Sequence, residues 1–193
     1  MQPSNAIAGA ANSPAMQVAV QDAQGNIVTT ATTSITLALG TNPASGTLSG
    51  TMTVAAVNGV ATFSTLSLNL AGTGYTLTAS ATGLTAATSS AFNITAGPAA
   101  KLVFTVQPGN VAAGAAITPA VQVTVQDAQG NTVTTATTGI TVAIGTNPAS
   151  GTLAGTKTVA AASGVATFST LSLNAAGTGY TLTASATGLT GTT

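Results

Sequence analysis

The chain has 193 residues, and only four of them, two Lys and two Asp, carry a charged side chain; His, Cys and Trp are absent. Without Cys or His the chain has no thiol chemistry, no disulfide framework and none of the ligands that zinc prefers. Two isolated Lys cannot form the basic surface that nucleic acid requires, and no apolar run is long enough for a membrane span.

The first clear elements are a turn and two strands. Asn58-Gly59 is typical of a type I′ hairpin turn, because both residue types tolerate a positive φ. In segments 92–94 and 102–106, large apolar residues alternate with small or polar ones, which predicts one strand in each segment.

A regular alternation of apolar and polar residues follows. The Val residues of segment 121–126 alternate with Gln and Thr, which predicts a strand with one buried face. The next five residues, Asp-Ala-Gln-Gly-Asn, predict a turn that starts at Asp127, and Asp22 starts the same sequence earlier in the chain. Segments 132–138 and 140–144 are rich in β-branched residues and predict further extended chain.

The last predicted strands are less uniform. Segment 153–161 is a weak strand, and segment 165–173 changes the parity of its large apolar residues, which predicts a bulge near Ser169-Thr170. Segment 180–187 shows the cleanest alternation of all. The pattern contains no helical period, so it favours a β-sandwich.

The chain also repeats itself. Residues 2–88 align with residues 107–193 at a constant offset of 105, with 69 identities in 87 positions. A period of about 100 residues is the size of one immunoglobulin-like domain. We therefore predict an all-β chain of two tandem immunoglobulin-like β-sandwich domains, residues 1–96 and 97–193, each with about seven strands.

Structural roles are predicted for the residues that stand out in this pattern. Each Tyr is expected to hold a tyrosine corner through its hydroxyl, each Asp to cap a turn, and one Gly-Pro pair to form a short linker between the repeats. These residues are Tyr75, Tyr180, Asp22, Asp127, Gly97 and Pro98.

Three segments carry a resemblance to a known family. They are Val-Thr-Val-Gln-Asp-Ala-Gln-Gly-Asn at 123–131, Gly-Val-Ala-Thr-Phe at 164–168 and Ala-Gly-Thr-Gly-Tyr-Thr-Leu-Thr-Ala at 176–184. Together they resemble the bacterial immunoglobulin-like (Big) domains of invasin- and intimin-type adhesins and of long bacterial surface proteins. The resemblance covers both repeats and implies a stalk or a protein-binding array in an extracellular or cell-surface location.

The register of the repeat predicts open sheet edges. Met1 aligns with Val106, so repeat 1 is expected to lack its first strand, and Thr193 aligns with Thr88, so repeat 2 is expected to lack its last strand. Exposed edges pair with other chains. Two interpretations stay open: the chain is a fragment of a longer array, or it associates with neighbouring repeats or copies of itself through these edges.

No catalytic, cofactor or metal site is predicted. Nucleophilic catalysis needs a base beside Ser or Thr, general acid–base work needs paired groups, and calcium needs several carboxylates, whereas each repeat has one Asp. We expect no enzymatic activity, no cofactor, no membrane insertion, and neither nucleic acid nor a small-molecule substrate as partner.

Three functions fit this pattern. The chain could be a structural spacer of a bacterial surface protein, a subunit of a self-assembling extracellular filament, or a ligand-binding adhesion module. A binding module is expected to vary its loops between copies, yet segments 41–46 and 146–151 are identical. This identity favours the spacer.

Overall fold

The computed structural model describes all 193 residues. The chain forms nineteen short strands, and no helix is long and apolar enough to cross a membrane. It divides into two compact units, Met1–Gly97 and Pro98–Thr193, which we call unit 1 and unit 2. The all-β architecture confirms the predicted fold class of an immunoglobulin-like β-sandwich.

Unit 1 contains eleven of these strands. They are β1 (Ala6–Ile7), β2 (Met16–Ala19), β3 (Ser34–Leu39), β4 (Leu48–Ser49), β5 (Thr53–Ala55), β6 (Val60–Phe63), β7 (Ser67–Leu68), β8 (Gly72–Tyr75), β9 (Leu77–Ser80), β10 (Ala87–Thr88) and β11 (Phe92–Thr95). A four-stranded antiparallel sheet has the order β10-β9-β3-β5, and a three-stranded sheet has the order β1-β11-β8. The remaining strands pair as β2-β6 and β4-β7.

The core of unit 1 is shared by all of these sheets. Ile35 and Leu37 alternate with exposed residues along β3, so their side chains lie on one face of the strand. They join Phe63 of β6 and Phe92 of β11 in a single buried cluster. Burial of this alternating apolar face is what stabilises a sandwich of such short strands.

Unit 2 contains the other eight strands. They are β12 (Lys101–Val106), β13 (Val121–Gln126), β14 (Gly139–Ile144), β15 (Leu153–Ala154), β16 (Thr158–Ala160), β17 (Val165–Phe168), β18 (Ser172–Leu173) and β19 (Leu182–Ser185). Their sheets have the orders β12-β13-β17, β16-β14-β19 and β15-β18. The three Val side chains of β13 are fully buried, as their alternation with Gln and Thr predicts.

The hairpin turn predicted at Asn58-Gly59 is present in both units. Asn58 and Gly59 have φ values of 50° and 79°, and their equivalents Ser163 and Gly164 have φ values of 49° and 81°. Two positive φ values in sequence define the type I′ turn.

Several predicted strands are shorter than expected. Segment 153–161 divides into β15 and β16, because Gly155 between them has a φ of 94°. Segment 165–173 divides into β17 and β18 at the predicted change of parity, where Phe168 and Leu171 are both buried. Segment 132–138 is not a strand: the N–H of Ala136 donates to the carbonyl of Val133, which closes a turn.

Candidate functional site

The two Tyr hydroxyls bond to the backbone in the same way. The hydroxyl of Tyr75 donates to the carbonyl of Leu70 at 2.9 Å, and that of Tyr180 donates to the carbonyl of Ala175 at 3.2 Å. Tyr75 is fully buried beside Phe92, with ring centroids 6.0 Å apart, and this burial raises the pKa of its phenol. Tyr180 is only half-buried.

The two Asp carboxylates each hold a turn. Oδ1 of Asp22 accepts hydrogen bonds from the N–H groups of Gln24 at 3.0 Å and of Asn26 at 2.9 Å, and the Asn26 side chain donates to Oδ2 at 3.0 Å. In unit 2, Asp127 accepts from the N–H and the side chain of Asn131 at 2.8 and 2.9 Å. Asp22 is exposed, whereas Asp127 is buried.

The pH dependence of stability follows from these groups. Hydrogen bonds, first those from the side chain of Asn26, hold the pKa of Asp22 below its ordinary value. Its stabilisation is therefore complete above the unfolded-state pKa of about 4 and is lost as the pH falls through the lower folded-state pKa. The pKa of Tyr75 is raised, so its contribution is lost as the pH rises above the unfolded-state value of about 10.

We expect the thermal unfolding midpoint to be nearly constant from mildly acidic to mildly basic buffer and to fall only at the two extremes. The variant Asp22→Asn should reduce the acid loss, and Tyr75→Phe should reduce the alkaline loss, in scanning calorimetry at stepped pH. A steep loss of stability near neutral pH would contradict this expectation.

The remaining residues singled out in the sequence are the Gly-Pro pair of the predicted linker. Gly97 ends unit 1 and Pro98 begins unit 2, in the short connection between β11 and β12. No group of three or more His, Cys, Asp or Glu side chains that could hold a metal ion is present. Each unit also has surface grooves that are large enough to hold part of another molecule.

In unit 1, two overlapping grooves of about 250 and 430 Å³ lie along β2. In unit 2 the equivalent position is filled by β12, which pairs with β13 from Lys101 to Val106. Lys101 also forms a parallel bridge with Thr190. Leu84 is 44% exposed beside the grooves of unit 1, while its equivalent Leu189 in unit 2 is half-buried.

In unit 2, a groove of about 480 Å³ lies at a different edge, and we call it the unit 2 groove. One wall is segment 110–113 and the other is segment 177–180, which ends at Tyr180. Ile117 and Leu182 are buried beneath it. The structure thus places two residues singled out in the sequence at grooves, Tyr180 at the unit 2 groove and Asp22 at the larger groove of unit 1.

Comparisons with known proteins give only distant likenesses. No protein-family model matches the chain. No curated protein matches it. Among solved structures, the Escherichia coli adhesin FdeC is 19% identical with a TM-score of 0.42, and the match covers 94% of this chain and 55% of that one. A β-glycosidase from Bacteroides vulgatus is 13% identical with a TM-score of 0.42, over 83% of this chain and 20% of the enzyme. β-Glucuronidase 3 of Bacteroides uniformis is 14% identical with a TM-score of 0.38, over 98% of this chain and 23% of the enzyme.

The chain therefore spans about a fifth of the glycosidases and about half of the adhesin structure. No activity or binding property is carried over from likenesses this distant.

Proposed function

We propose that this chain is a pair of structural repeats, belonging to the bacterial immunoglobulin-like (Big) type, that act as a non-catalytic spacer in an extracellular or cell-surface bacterial protein. The observation that carries the proposal is the near-identity of the two copies, which extends from the core to the exposed loops. A repeated spacer needs the same domain twice, whereas a catalytic or recognition site needs its loops to specialise.

The identical loops 41–46 and 146–151 use their polar groups to hold their own shape. The side chain of Asn42 donates to the carbonyl of Gly46 at 2.9 Å and accepts from its N–H at 2.8 Å. Asn147 makes the same two bonds to Gly151 at 2.8 and 2.7 Å. A loop closed in this way is suited to a fixed geometry rather than to adaptable recognition.

The neighbouring strands β3 and β5, and likewise β14 and β16, carry no charged side chain and pair Thr hydroxyls across the sheet. The hydroxyls of Thr36 and Thr53 lie 2.9 Å apart across β3 and β5, and those of Thr141 and Thr158 lie 2.9 Å apart in unit 2. Cross-strand Thr pairs stabilise a sheet and keep its surface hydrated without charge. Such a surface supports a role in extension and gives no long-range attraction to charged partners.

The proposal is tested by measuring how far the repeats hold an epitope tag above a cell surface. The chain is placed between an outer-surface anchor and an epitope tag, as one, two or four tandem copies, and the height of the tag above the membrane is measured by interference microscopy. A folded spacer predicts equal height increments per copy, while matched Gly/Ser linkers with the same number of residues extend only as about the square root of their length. A height that follows the flexible-linker series would overturn the proposal.

A further inference from the structure

β5 lies at one end of the four-stranded sheet of unit 1, and only its inner side is paired. The N–H of Leu37 donates to the carbonyl of Met52 at 2.8 Å, so the backbone groups of Met52 and of every second residue after it point towards β3. The N–H and C=O groups of Thr53 and Ala55 therefore point away from the sheet, and both residues are exposed. No strand pairs with them on that side.

Unit 2 has the same open edge at β16, which pairs only with β14. β16 shows the same alternation of exposed, half-buried and exposed residues as β5. The open edge is thus a property of this sheet in both units and does not depend on where the sequence begins or ends. Segments 51–56 and 156–161 differ at a single position, which is Met52 in unit 1 and Lys157 in unit 2.

This one difference changes how each edge meets another strand. Met52 is 43% exposed and lies on the same face as Val54, which packs against the core cluster of unit 1. Segment 51–56 is wholly uncharged. Lys157 places an ammonium group at the same position of unit 2, and Lys on an edge strand is a common means by which proteins prevent edge-to-edge pairing. The edge of unit 1 is open to pairing, whereas that of unit 2 is protected.

We infer that β5 pairs antiparallel with β5 of a second copy of this chain, about a two-fold axis at Val54. In this register, Thr53 of each copy lies opposite Ala55 of the other. Their outward N–H and C=O groups bond to each other as a hydrogen-bonded antiparallel pair. The two four-stranded sheets thereby join into one. The inference concerns self-association and stands independently of the spacer role.

The occupant is a second copy because the edge is complementary to itself. Rotation by 180° about Val54 brings each open N–H opposite an open C=O, as an isologous contact requires. The same rotation places each Met52 diagonally across from Val54 of the other copy, within reach of a long side chain, so an exposed apolar group becomes covered. The β16 edge in this register would place the Lys157 ammonium over an apolar side chain, which is unfavourable.

The contact is weak in dilute solution. A strand pair of this length buries far less than the roughly 1,200–2,000 Å² of a stable interface, and we expect a dissociation constant on the order of 1 mM. Many copies held side by side raise the effective concentration, so the same contact can link neighbouring chains on one surface.

The test is amide NMR and analytical ultracentrifugation of the full chain up to about 2 mM, above the expected dissociation constant. We expect a dimer and concentration-dependent shifts at residues 52–56, with none at 157–161. Met52→Lys gives unit 1 the edge that unit 2 already folds with, and it should weaken the dimer at least about fivefold, since two apolar contacts are lost per dimer. Ile27→Thr is the control: Ile27 is 48% exposed, unit 2 has Thr132 there, and the dimer should be unchanged.

Two further variants test the edge and the register. Lys157→Met should produce oligomers larger than a dimer, because each chain then has two self-complementary edges. The chain has no Cys of its own, so a mixture of Thr53→Cys and Ala55→Cys chains should form a disulfide faster than either variant alone, since the Cα atoms of such a pair lie about 5.5 Å apart.

Three results would overturn the inference. The first is a chain that stays monomeric at about 2 mM, above the expected dissociation constant. The second is a Met52→Lys variant that dimerises as strongly as the parent, or shifts that appear only at residues 177–180, either of which assigns the contact to another surface. The third is equal cross-linking of the mixture and of the single variants, which excludes the two-fold register at Val54.

Discussion

Replacing Phe92 by Ala is expected to destabilise unit 1 by about 3–5 kcal/mol, which is the cost of truncating a buried Phe. The ring is 4% exposed and packs 6.0 Å from the ring of Tyr75. The substitution leaves a cavity in the core cluster and removes the tilted aromatic contact, so unit 1 loses both transfer free energy and dispersion contacts. Phe92 belongs to the core cluster of unit 1, so the stability of unit 2 should not change.

The measurement is urea unfolding followed by Tyr fluorescence in a Tyr180→Phe background, where Tyr75 alone reports on unit 1. Val57→Ala is the control, because that side chain is 71% exposed and its loss should change the free energy of unfolding by no more than about 0.5 kcal/mol. A Phe92→Ala variant within about 1 kcal/mol of the parent would show that β11 contributes little to unit 1.

Alternation of apolar and polar residues was enough to predict the central strands of two sheets in unit 2. β13 coincides with the predicted segment 121–126, and β14 begins one residue before the predicted segment 140–144, because a side chain on every second position of a strand faces the core. The breaks within strands were harder to predict. Gly155 has a positive φ of 94°, which interrupts the hydrogen bonding of the strand. A single Gly in a strand pattern does not reveal whether the strand continues through a bulge or ends there.

The candidate site was predictable only in outline. The offset of 105 residues locates the two edges where one unit has a strand and the other has none. It does not show that Asn5 bonds to Asn93, since these residues are 88 positions apart and their contact depends on the register between β1 and β11.

Replacing Gly155 by Ala is expected to destabilise unit 2 by more than about 3 kcal/mol. The residue has a φ of 94°, where any side chain costs about 1–2 kcal/mol. In addition, a Cβ at this position would collide with the backbone carbonyl group of Thr170 and come within 3.1 Å of Cα of Leu171. Leu171 is fully buried, so relieving the collision requires movement of a core residue as well as of the loop.

Gly130 provides the control that separates the collision from backbone strain. It has a nearly equal φ of 92°, but a Cβ there would meet no atom within 4 Å. Gly130→Ala should therefore cost only the strain, about 1–2 kcal/mol, in urea unfolding reported by Tyr180 in a Tyr75→Phe background. If the two variants lose equal stability, the connection between β15 and β16 can move away from Thr170. The close packing of this connection against Thr170 and Leu171 would then not be the reason why the strand is interrupted between β15 and β16.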